Sequence, residues 1–413
     1  MLKVLHTADW HIGQTFYEHD RTFEHEQFLL WLVNTITINE IDVLLISGDV
    51  FDGSNPSTTS VNLWYNFLAN ITHVNQHLQI IVTAGNHDSA ARLEAPNPFF
   101  KYYNIQIIGT VKKLPDGSFD YDKLLIPIKN KEGIIKAWCL AVPYLRPGDY
   151  PILNTATSIY AEGIASFYKD AFDYALTKHQ LGQAIIAMGH LHTLGTATCG
   201  NDKNERSIMG GIEFVPSSAF NDQLAYTALG HIHKAQMIGG KENIRYSGSP
   251  IPMSFSEINY QHQVVIFDLF EEKAINIKSI VVPKTIPLLR VPSVPKPLSD
   301  VLMELSILPE ATADITDAPY LEVRIFLEAP EPFLRNKIEV ALLKKKVRFT
   351  RIDVNYAVAE KTEKQLLSFD DLQKLQPVDI FFKIYQAQFK NTPPEDLIEL
   401  FKDAALSVNT LDN

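Results

Sequence analysis

The sequence predicts an α/β protein followed by a small α+β region and terminal helices. Five apolar runs, each typical of a buried strand, end in a small residue followed by Asp, Asn or His. Strand and helix patterns alternate through residues 1–110, which favours a largely parallel sheet. Five prolines then fall between residues 283 and 297, where the chain enters a different pattern. These shifts predict domains at 1–280, 281–375 and 376–413.

The first region reads as strand, helix, strand, helix, strand. The two helix patterns cover residues 20–40 and 58–74, and Ser57-Thr58-Thr59 offers the second helix an N-cap. This order predicts parallel strands joined by right-handed crossovers. Shorter apolar runs follow, which suggest antiparallel strands and, after a further helix, two closing strands. We place these strands at 105–108, 124–128, 137–142, 245–247 and 263–269, and the helix at 158–178.

The region after the prolines alternates again, on a smaller scale. The pattern predicts strands at 286–291, 320–327 and 347–355, with helices at 298–305 and 331–343 between them. Beyond Pro377 it predicts two helices, at about 378–389 and 394–407.

Composition limits the class of protein. The 413 residues suggest two or three domains, and 46% hydrophobic with 21% charged residues is typical of a soluble globular protein. No apolar stretch approaches the ~20 residues of a membrane span, so we expect no membrane partner. The two cysteines, Cys139 and Cys199, favour neither a disulfide framework nor a zinc–thiolate site, and they favour a cytoplasmic location.

The net charge of −11 argues against binding nucleic acid through a broadly basic surface. Metal ions, a local patch or a basic partner remain open as sources of positive charge. Lys344-Lys345-Lys346 with Arg348 and Arg351 is the best local patch, and a solvated helix end is the alternative interpretation.

The five polar tips are the candidate site. Each follows a predicted strand, and α/β sheets place their ligands at the carboxyl ends of strands. Together the tips supply enough nitrogen and oxygen ligands for two metal ions, which is what phosphodiester hydrolysis requires. The candidate ligands are Asp9, His11, Asp49, Asn86, His190, His231 and His233.

The residue types suggest separate roles. Asp49 is the natural bridge between two ions, because Gly48 lets the chain turn tightly before it. Asp9 and His11, two residues apart, are expected to project to the same side of an extended segment and chelate one ion. His231 and His233 have the same spacing and can divide between the ions.

The remaining ligands are neutral. Asn86 offers an amide oxygen and His190 an imidazole nitrogen. This mixed set suits manganese or iron better than calcium, and the absence of thiolates argues against structural zinc.

His87 is the candidate catalytic acid, since a histidine beside the metals can protonate a leaving alkoxide. Asp88 is expected to orient it. His192 mimics His233 in spacing, but only His190 directly follows a strand and a glycine. We therefore favour His190 as the ligand and leave His192 as an outer contact.

These motifs resemble the calcineurin-like metallophosphoesterase superfamily. The matching residues are Asp9-Trp10-His11, Gly48-Asp49, Gly85-Asn86-His87-Asp88, Gly189-His190 and Gly230-His231-Ile232-His233. Their flanks are similar to the SbcD family of bacterial nuclease subunits, relatives of the Mre-type double-strand-break repair nuclease. The flanking matches are His6–Gly13, Gly48–Asp52, Gly230–Gln236 and Tyr246–Phe255.

The resemblance implies a four-layer α/β/β/α sandwich over residues 1–280, a DNA-capping domain over 281–375 and helices over 376–413 that dock on the coiled coil of an SbcC-type ATPase. It implies a nuclease homodimer within a heterotetramer, associated with the nucleoid when bound to DNA. It further implies exonuclease activity on duplex ends and endonuclease activity on single strands or hairpins, in DNA repair, recombination and replication.

The resemblance also divides the ligands between two Mn²⁺ ions, with Mg²⁺ or Fe as alternatives. One ion takes Asp9, His11, Asp49 and His233, and the other takes Asp49, Asn86, His190 and His231. His87 takes the catalytic role. The family motif does not require His192 as a ligand.

Two rival functions are considered: a different phosphoesterase of the superfamily, acting on phosphoproteins, cyclic nucleotides or nucleotide sugars, and a non-catalytic scaffold. Protein phosphatases of the superfamily carry Arg-Gly after the second Asp of the Gly-Asp motif and Glu after Asn-His. Here Asp52 is followed by Gly53-Ser54 and His87 by Asp88, which disfavours a protein phosphatase. A non-catalytic scaffold of the same fold is disfavoured because every expected ligand is present.

Overall fold

The computed structural model describes residues 1–153, 159–194, 214–311, 316–356, 377–389, 391–394, 397–398 and 400–401. The chain forms two compact units. The first comprises Met1–Leu289, Ala311–Glu322 and Lys346–Arg351, and the second comprises Arg290–Glu310, Val323–Lys345 and Ile352–Asn413. The domain boundaries that we placed from the sequence stay a prediction.

Six of the α-helices in the described chain lie where the sequence predicted a helix, whereas the short helices at 90–94 and 97–100 were not predicted. The helices are α1 (Thr22–Ile38), α2 (Thr58–Val74), α3 (Ala90–Glu94), α4 (Asn97–Phe100), α5 (Ile159–Lys178), α6 (Leu298–Ser306), α7 (Leu334–Leu342) and α8 (Pro377–Phe389). The side chain of Ser57 caps α2 by accepting a hydrogen bond from the Ser60 N–H, as predicted. Of the second predicted terminal helix, residues 397, 398, 400 and 401 are helical, residue 394 is not helical, and the others lie outside the described residues.

The strands form two six-stranded sheets, one three-stranded sheet and a short hairpin. They are β1 (Leu2–Thr7), β2 (Thr15–Phe16), β3 (His19–Asp20), β4 (Val43–Ser47), β5 (Gln79–Thr83), β6 (Ile105–Ile108), β7 (Leu125–Lys129), β8 (Ile135–Ala141), β9 (Ala184–His190), β10 (Tyr226–Gly230), β11 (Gln236–Ile238), β12 (Lys241–Tyr246), β13 (Gln263–Phe270), β14 (Lys273–Val281), β15 (Leu288–Lys296), β16 (Tyr320–Leu327) and β17 (Arg348–Tyr356).

The first sheet has the order β14-β13-β1-β4-β5-β6. Strands β1, β4 and β5 are parallel, as the alternation of strands and helices predicted. The prediction that residues 105–108 form an antiparallel strand is wrong, because β6 runs parallel to β5. The short helices α3 and α4 lie between these two strands, and such a connection is long enough to return the chain in the same direction.

The second sheet has the order β11-β12-β10-β9-β8-β7. Strands β7 and β8 pair antiparallel, as predicted, whereas β8, β9, β10 and β12 run parallel to one another. Every parallel strand of this sheet therefore ends at the same edge.

Successive side chains of β4 point to opposite faces of the first sheet and pack in different cores. Leu44 and Ile46 pack in the cluster that contains the buried faces of α1 and α2. Val43 and Leu45 pack instead with Ile186 and other residues of the second sheet. The opposite face of the second sheet buries the aromatic side chains of α5. These three cores confirm the four-layer α/β/β/α sandwich.

The elements after the prolines also match their predictions. Strands β15, β16 and β17 form the three-stranded sheet in that order, with α6 and α7 between them in the chain. No helix within the described ranges is long and apolar enough to cross a membrane.

Candidate metal centre

The edges of the two large sheets meet where the polar tips lie. The Ser47 hydroxyl, at the end of β4, donates to the Ala228 carbonyl of β10 at 3.1 Å. His190, the last residue of β9, directs Nδ1 at the Ser47 carbonyl at 2.9 Å. These bonds hold the carboxyl ends of both sheets together, so the tips converge as the strand pattern predicted.

Asp9, His11 and His233 form the first group of candidate ligands. One ligand atom from each lies within 4.8 Å of the others, and all three residues are buried. The Asp9 Oδ1 accepts a hydrogen bond from the His231 N–H at 2.8 Å. Asp9 Oδ2 and His11 Nε2 are buried and have no hydrogen-bond partner in the described part of the chain. Two such atoms facing one space fit a cation, because buried polar atoms are otherwise satisfied.

The second group converges on the amide oxygen of Asn86. His190 Nε2 lies 2.9 Å and His231 Nδ1 lies 3.0 Å from that oxygen. Asp49 Oδ2 lies 3.2 Å from His190 Nε2. Two imidazole nitrogens, an amide oxygen and a carboxylate oxygen are a donor set that suits manganese or iron.

Asp49 lies between the two groups. Its Oδ1 accepts a hydrogen bond from the His87 N–H at 2.9 Å. Its Oδ2 lies 3.6 Å from His11 Nε2 and 3.2 Å from His190 Nε2, and so faces both groups. Two positions beside Asp49 must be glycine. A Cβ at Gly85 would collide with Asp49 Oδ1, and a Cβ at Gly48 would collide with the His190 ring.

In the metal-free protein the carboxylate of Asp49 favours the protonated form of His190. Burial lowers the pKa of His190, but the charge of Asp49, its hydrogen bond and the charge of Asp9 outweigh burial and raise it to about 9. Burial likewise raises the pKa of Asp49, yet the neighbouring histidines hold it well below its usual range. Because both nitrogens of His190 face oxygen acceptors, a bound cation must displace the proton on Nε2.

The backbone at the ligands differs from our expectation. Asp9 and His11 are not on an extended segment: their φ angles of 55° and 46° place both in the left-handed region. Asp49 (φ 52°) and His231 (φ 96°) share this feature. Such conformations cost about 1 kcal/mol or more for residues other than glycine, and they concentrate at functional sites. Asp9 and His11 still converge, but through tight turns rather than through strand periodicity.

His87 is half-buried beside the first group. Its ring lies 4.8 Å from the ring of His11, and its Nδ1 lies 2.8 Å from the Asp52 carbonyl oxygen. Burial lowers the pKa of His87, while the charge of Asp49 opposes this effect. His11, Asp52 and His87 also satisfy the spacing of a metal-binding group, which gives His87 an alternative role as a ligand.

Asp88 does not orient the His87 ring as we expected. Its carboxylate accepts hydrogen bonds from the N–H groups of Gly85, Val50 and Phe51 at 2.9, 3.2 and 3.0 Å. It therefore fastens the turn that carries Asn86 to the turn that carries Asp49. The Asp52 carbonyl, and not Asp88, is the group that positions the His87 ring.

His192 lies next to His231, with ring centroids 5.6 Å apart, and stacks on Phe214 at 5.0 Å. Burial lowers the pKa of His192 to about 4. Its position agrees with an outer contact.

Two carboxylates that sequence reasoning did not assign support the ligands from behind. Asp52 Oδ1 lies 3.2 Å from His11 Nδ1, and Glu257 Oε1 lies 3.2 Å from His233 Nδ1. Glu257 is fully buried, and its Oε2 accepts a hydrogen bond from the Met253 N–H. A carboxylate hydrogen-bonded to the far nitrogen fixes the tautomer and the orientation of a metal-binding histidine, as Glu257 does for His233. Asp52 is close to His11 Nδ1, but that nitrogen forms no hydrogen bond within the described residues. Only the position of Glu257 just after the matched flank 246–255 could have indicated it.

We expect Glu257→Gln to weaken Mn²⁺ binding about 10- to 100-fold, because Gln keeps the shape but loses the charge that orients His233. Calorimetric titration of the metal-free protein measures this loss. Glu242→Gln, at an exposed position of β12, is the matched control and should bind Mn²⁺ like the wild type. Equal affinities for both variants would show that Glu257 does not support the metal centre.

The fold and the paired ligand groups define a metal-dependent phosphoesterase. The family described as Calcineurin-like phosphoesterase matches residues 2–235. The family described as Type 5 capsule protein repressor C-terminal domain matches residues 285–389.

Curated relatives identify the family within the metal-dependent phosphoesterases. The chain is 36% identical to the SbcD component of nuclease SbcCD from Rhodobacter capsulatus over 350 residues, which cover 83% of this chain and 84% of the relative. It is 32% identical to the same component from Escherichia coli over 296 residues, 70% of each chain. The Bacillus subtilis relative of the same name is 30% identical over 275 residues, 65% of this chain and 66% of the relative. The chain therefore belongs to the SbcD family of calcineurin-like phosphoesterases.

Proposed function

We propose that this protein is the nuclease subunit of an SbcCD-type complex and hydrolyses DNA phosphodiesters with two Mn²⁺ ions, Mg²⁺ or Fe being alternatives. The position of Asp49 Oδ2, close to ligands of both groups, carries the proposal. The relatives named nuclease support DNA as the substrate. We assign exonuclease activity to duplex ends and endonuclease activity to single strands and hairpins, acting in DNA repair, recombination and replication in the cytoplasm.

The two ligand groups would each hold one ion. Asp9, His11, Asp49 and His233 would hold the first, and Asp49, Asn86, His190 and His231 the second. When bound, two divalent ions lower the pKa of a water and stabilise charge on the attacking and leaving oxygens. The carboxylate of Glu257 behind His233 keeps this ring turned towards the site.

His87 would deliver a proton to the leaving oxygen of the DNA. Its Nδ1 is held at the Asp52 carbonyl, to which it donates, and its Nε2 is then the nitrogen that can carry the transferred proton. The half-buried ring allows contact with both the substrate and the solvent. Asp88 contributes by fixing the turn on which His87 lies.

The test uses purified protein with Mn²⁺ and three labelled substrates: duplex DNA, a DNA hairpin and a phosphopeptide. We expect cleavage of both DNA substrates, greater with an SbcC-type ATPase and ATP, and none with EDTA. Phosphopeptide hydrolysis without DNA cleavage would favour another calcineurin-like phosphoesterase. Inactivity on all three substrates with Mn²⁺ and partner present would favour a non-catalytic scaffold.

The partners follow from the same proposal. The described face of α8 carries a row of aromatic rings, in which Phe381 contacts Tyr385 at 6.0 Å and Tyr385 contacts Phe389 at 4.7 Å. Phe381 at one end of the row stacks on Phe401 at 4.4 Å, so this end packs within the terminal helices. Residues 376–413 would dock on the coiled coil of the ATPase, and packing of the apolar face on its own domain is the alternative. Phe99, Tyr102 and Tyr103 are 73%, 77% and 58% exposed, and such a cluster supports a homodimer within the heterotetramer.

Four of the five basic side chains at 344–351 are held by contacts within the proposed capping region at 281–375. Lys345 donates to the Ser306 and Leu308 carbonyls, and Lys346 pairs with Asp317. Arg348 donates to Tyr320 and Thr316, and Arg351 pairs with the buried Glu322. Lys344 alone among the five is exposed without a hydrogen bond or ion pair to another described residue. These contacts favour a structural role for the patch.

A further inference from the structure

The loop that follows β8 reaches the metal centre, although none of its residues is among the candidate ligands. The Tyr144 N–H donates to the Ala84 carbonyl at 2.8 Å, which places Tyr144 directly beside the turn of Asn86 and His87. The Tyr144 ring lies 6.2 Å from the ring of His190 and 6.4 Å from that of His231, to which it is inclined by 35°. The ring therefore forms one wall of the site.

Arg146 lies against this wall. Its guanidinium carbon is 5.5 Å from the centre of the Tyr144 ring. The backbone is fixed by a turn, in which the Arg146 N–H donates to Asp149 Oδ2 at 2.9 Å and the Asp149 N–H donates to the Arg146 carbonyl at 2.9 Å. Leu145, between the two residues, is 4% exposed and packs in the core beneath α5. The backbone that carries the guanidinium is therefore fixed by the turn and by the packing of Leu145.

The Arg146 guanidinium lacks an anionic partner. It is half-buried, and within the described ranges it makes no hydrogen bond or ion pair. Other arginines of the protein are engaged: Arg21 with Glu24, Arg324 with Asp353 and Arg335 with Glu339. A partly desolvated guanidinium without an acceptor is costly, and its five N–H donors match the oxygens of a phosphate.

We propose that Arg146, held on the Tyr144 ring, binds a phosphate of the DNA strand next to the one that is cleaved. This inference rests on the proposed function, since the ligand is the backbone of the same substrate. The ring orients the guanidinium before DNA arrives, so that little side-chain freedom is lost on binding. Arg146 positions the strand and is not a catalytic residue.

The test compares Arg146→Ala with Lys131→Ala, which removes one positive charge at an exposed hairpin. Two substrates are used with Mn²⁺: a DNA hairpin and bis(p-nitrophenyl) phosphate, a phosphodiester with no neighbouring phosphate. We expect Arg146→Ala to raise KM for DNA about tenfold or more. Its kcat/KM for the small diester should stay within about twofold of the wild type. Lys131→Ala should leave both substrates within about twofold.

Binding supplies a second measurement that does not depend on activity. Fluorescence anisotropy in EDTA gives the Kd of single-stranded DNA over a range of salt concentrations. Loss of one phosphate contact should lower the salt slope by about 0.7 in Arg146→Ala and leave it unchanged in Lys131→Ala. Tyr144→Phe should keep the wild-type Kd because it keeps the ring, whereas Tyr144→Leu should weaken binding as Arg146→Ala does.

Two further variants distinguish the loss of positive charge from damage to the fold. Arg146→Lys and Arg146→Gln both retain a long side chain, but only Arg146→Lys retains the charge. We expect Lys to bind DNA more tightly than Gln. Equal Kd values and salt slopes for wild type, Lys and Gln would overturn the proposal. An equal loss on DNA and on the small diester would also overturn it, since it would show general damage to the site. Wild-type hydrolysis of the small diester without DNA cleavage would instead contradict the proposed function.

Discussion

Asp49→Asn is expected to reduce DNA cleavage about 10³-fold or more, because it removes the negative charge that would hold both cations. Asp49 Oδ2 faces both ligand groups, at 3.6 Å from His11 Nε2 and 3.2 Å from His190 Nε2. Metal content measured after dialysis against Mn²⁺ should fall from two ions to one or none for each chain. Asp173→Asn, on the exposed face of α5, is the control and should retain both ions and full activity.

Asp49→Asn should also change the pH dependence of metal binding. In the metal-free protein the pKa of His190 is raised to about 9, so His190 carries a proton at pH 7.5 that a cation must displace. Wild-type affinity for Mn²⁺ should therefore increase as the pH rises towards 9, with release of a proton. Without Asp49 the pKa of His190 falls and this dependence weakens. Calorimetry in buffers of different ionisation enthalpy measures the proton directly, and equal proton release by both proteins would contradict this account.

The stability of the metal-free protein should respond in the opposite direction. A histidine whose pKa is raised on folding stabilises the folded state fully below its unfolded value of about 6.5. That contribution is lost as the pH rises through about 9. Hence the metal-free wild type loses stability over the range in which its metal affinity grows, and added Mn²⁺ should offset the loss.

The strand ends could be predicted from the sequence because the physics there is simple. Apolar runs specify buried strands, and the ends of parallel strands share an edge, so Asp9, Asp49 and Asn86 had to lie near one another. The direction of β6 was not predictable from its apolar run, since residues 105–108 alternate in the same way in either pairing.

The hydrophobic pattern of the sequence could not predict the backbone conformation at the ligands or the carboxylates that support them. The left-handed conformations of Asp9 and His11 are unfavourable in isolation, and surrounding contacts must impose them. Glu257 meets His233 across 24 residues of irregular chain, where no periodicity applies. Asp88 illustrates the opposite error: adjacency to His87 suggested a contact, but its carboxylate bonds to three backbone N–H groups instead.

His87→Ala should reduce the kcat for DNA cleavage about 10²- to 10⁴-fold while both ions remain bound, because proton transfer to the leaving oxygen is lost. The small diester provides the decisive contrast. Its nitrophenolate leaves without needing a proton, so kcat for bis(p-nitrophenyl) phosphate should change little in the same variant. His77→Ala, at an exposed position, is the control for removal of an imidazole and should behave as wild type on both substrates.

Metal content then separates the two roles that the geometry allows for His87. His87 satisfies ligand spacing with His11 and Asp52, yet its Nδ1 is already engaged at the Asp52 carbonyl at 2.8 Å. An acid role predicts two bound ions and selective loss of DNA cleavage. A ligand role predicts a missing ion and an equal loss on both substrates. The second result would move His87 into the metal cage and leave the leaving oxygen to be protonated by solvent.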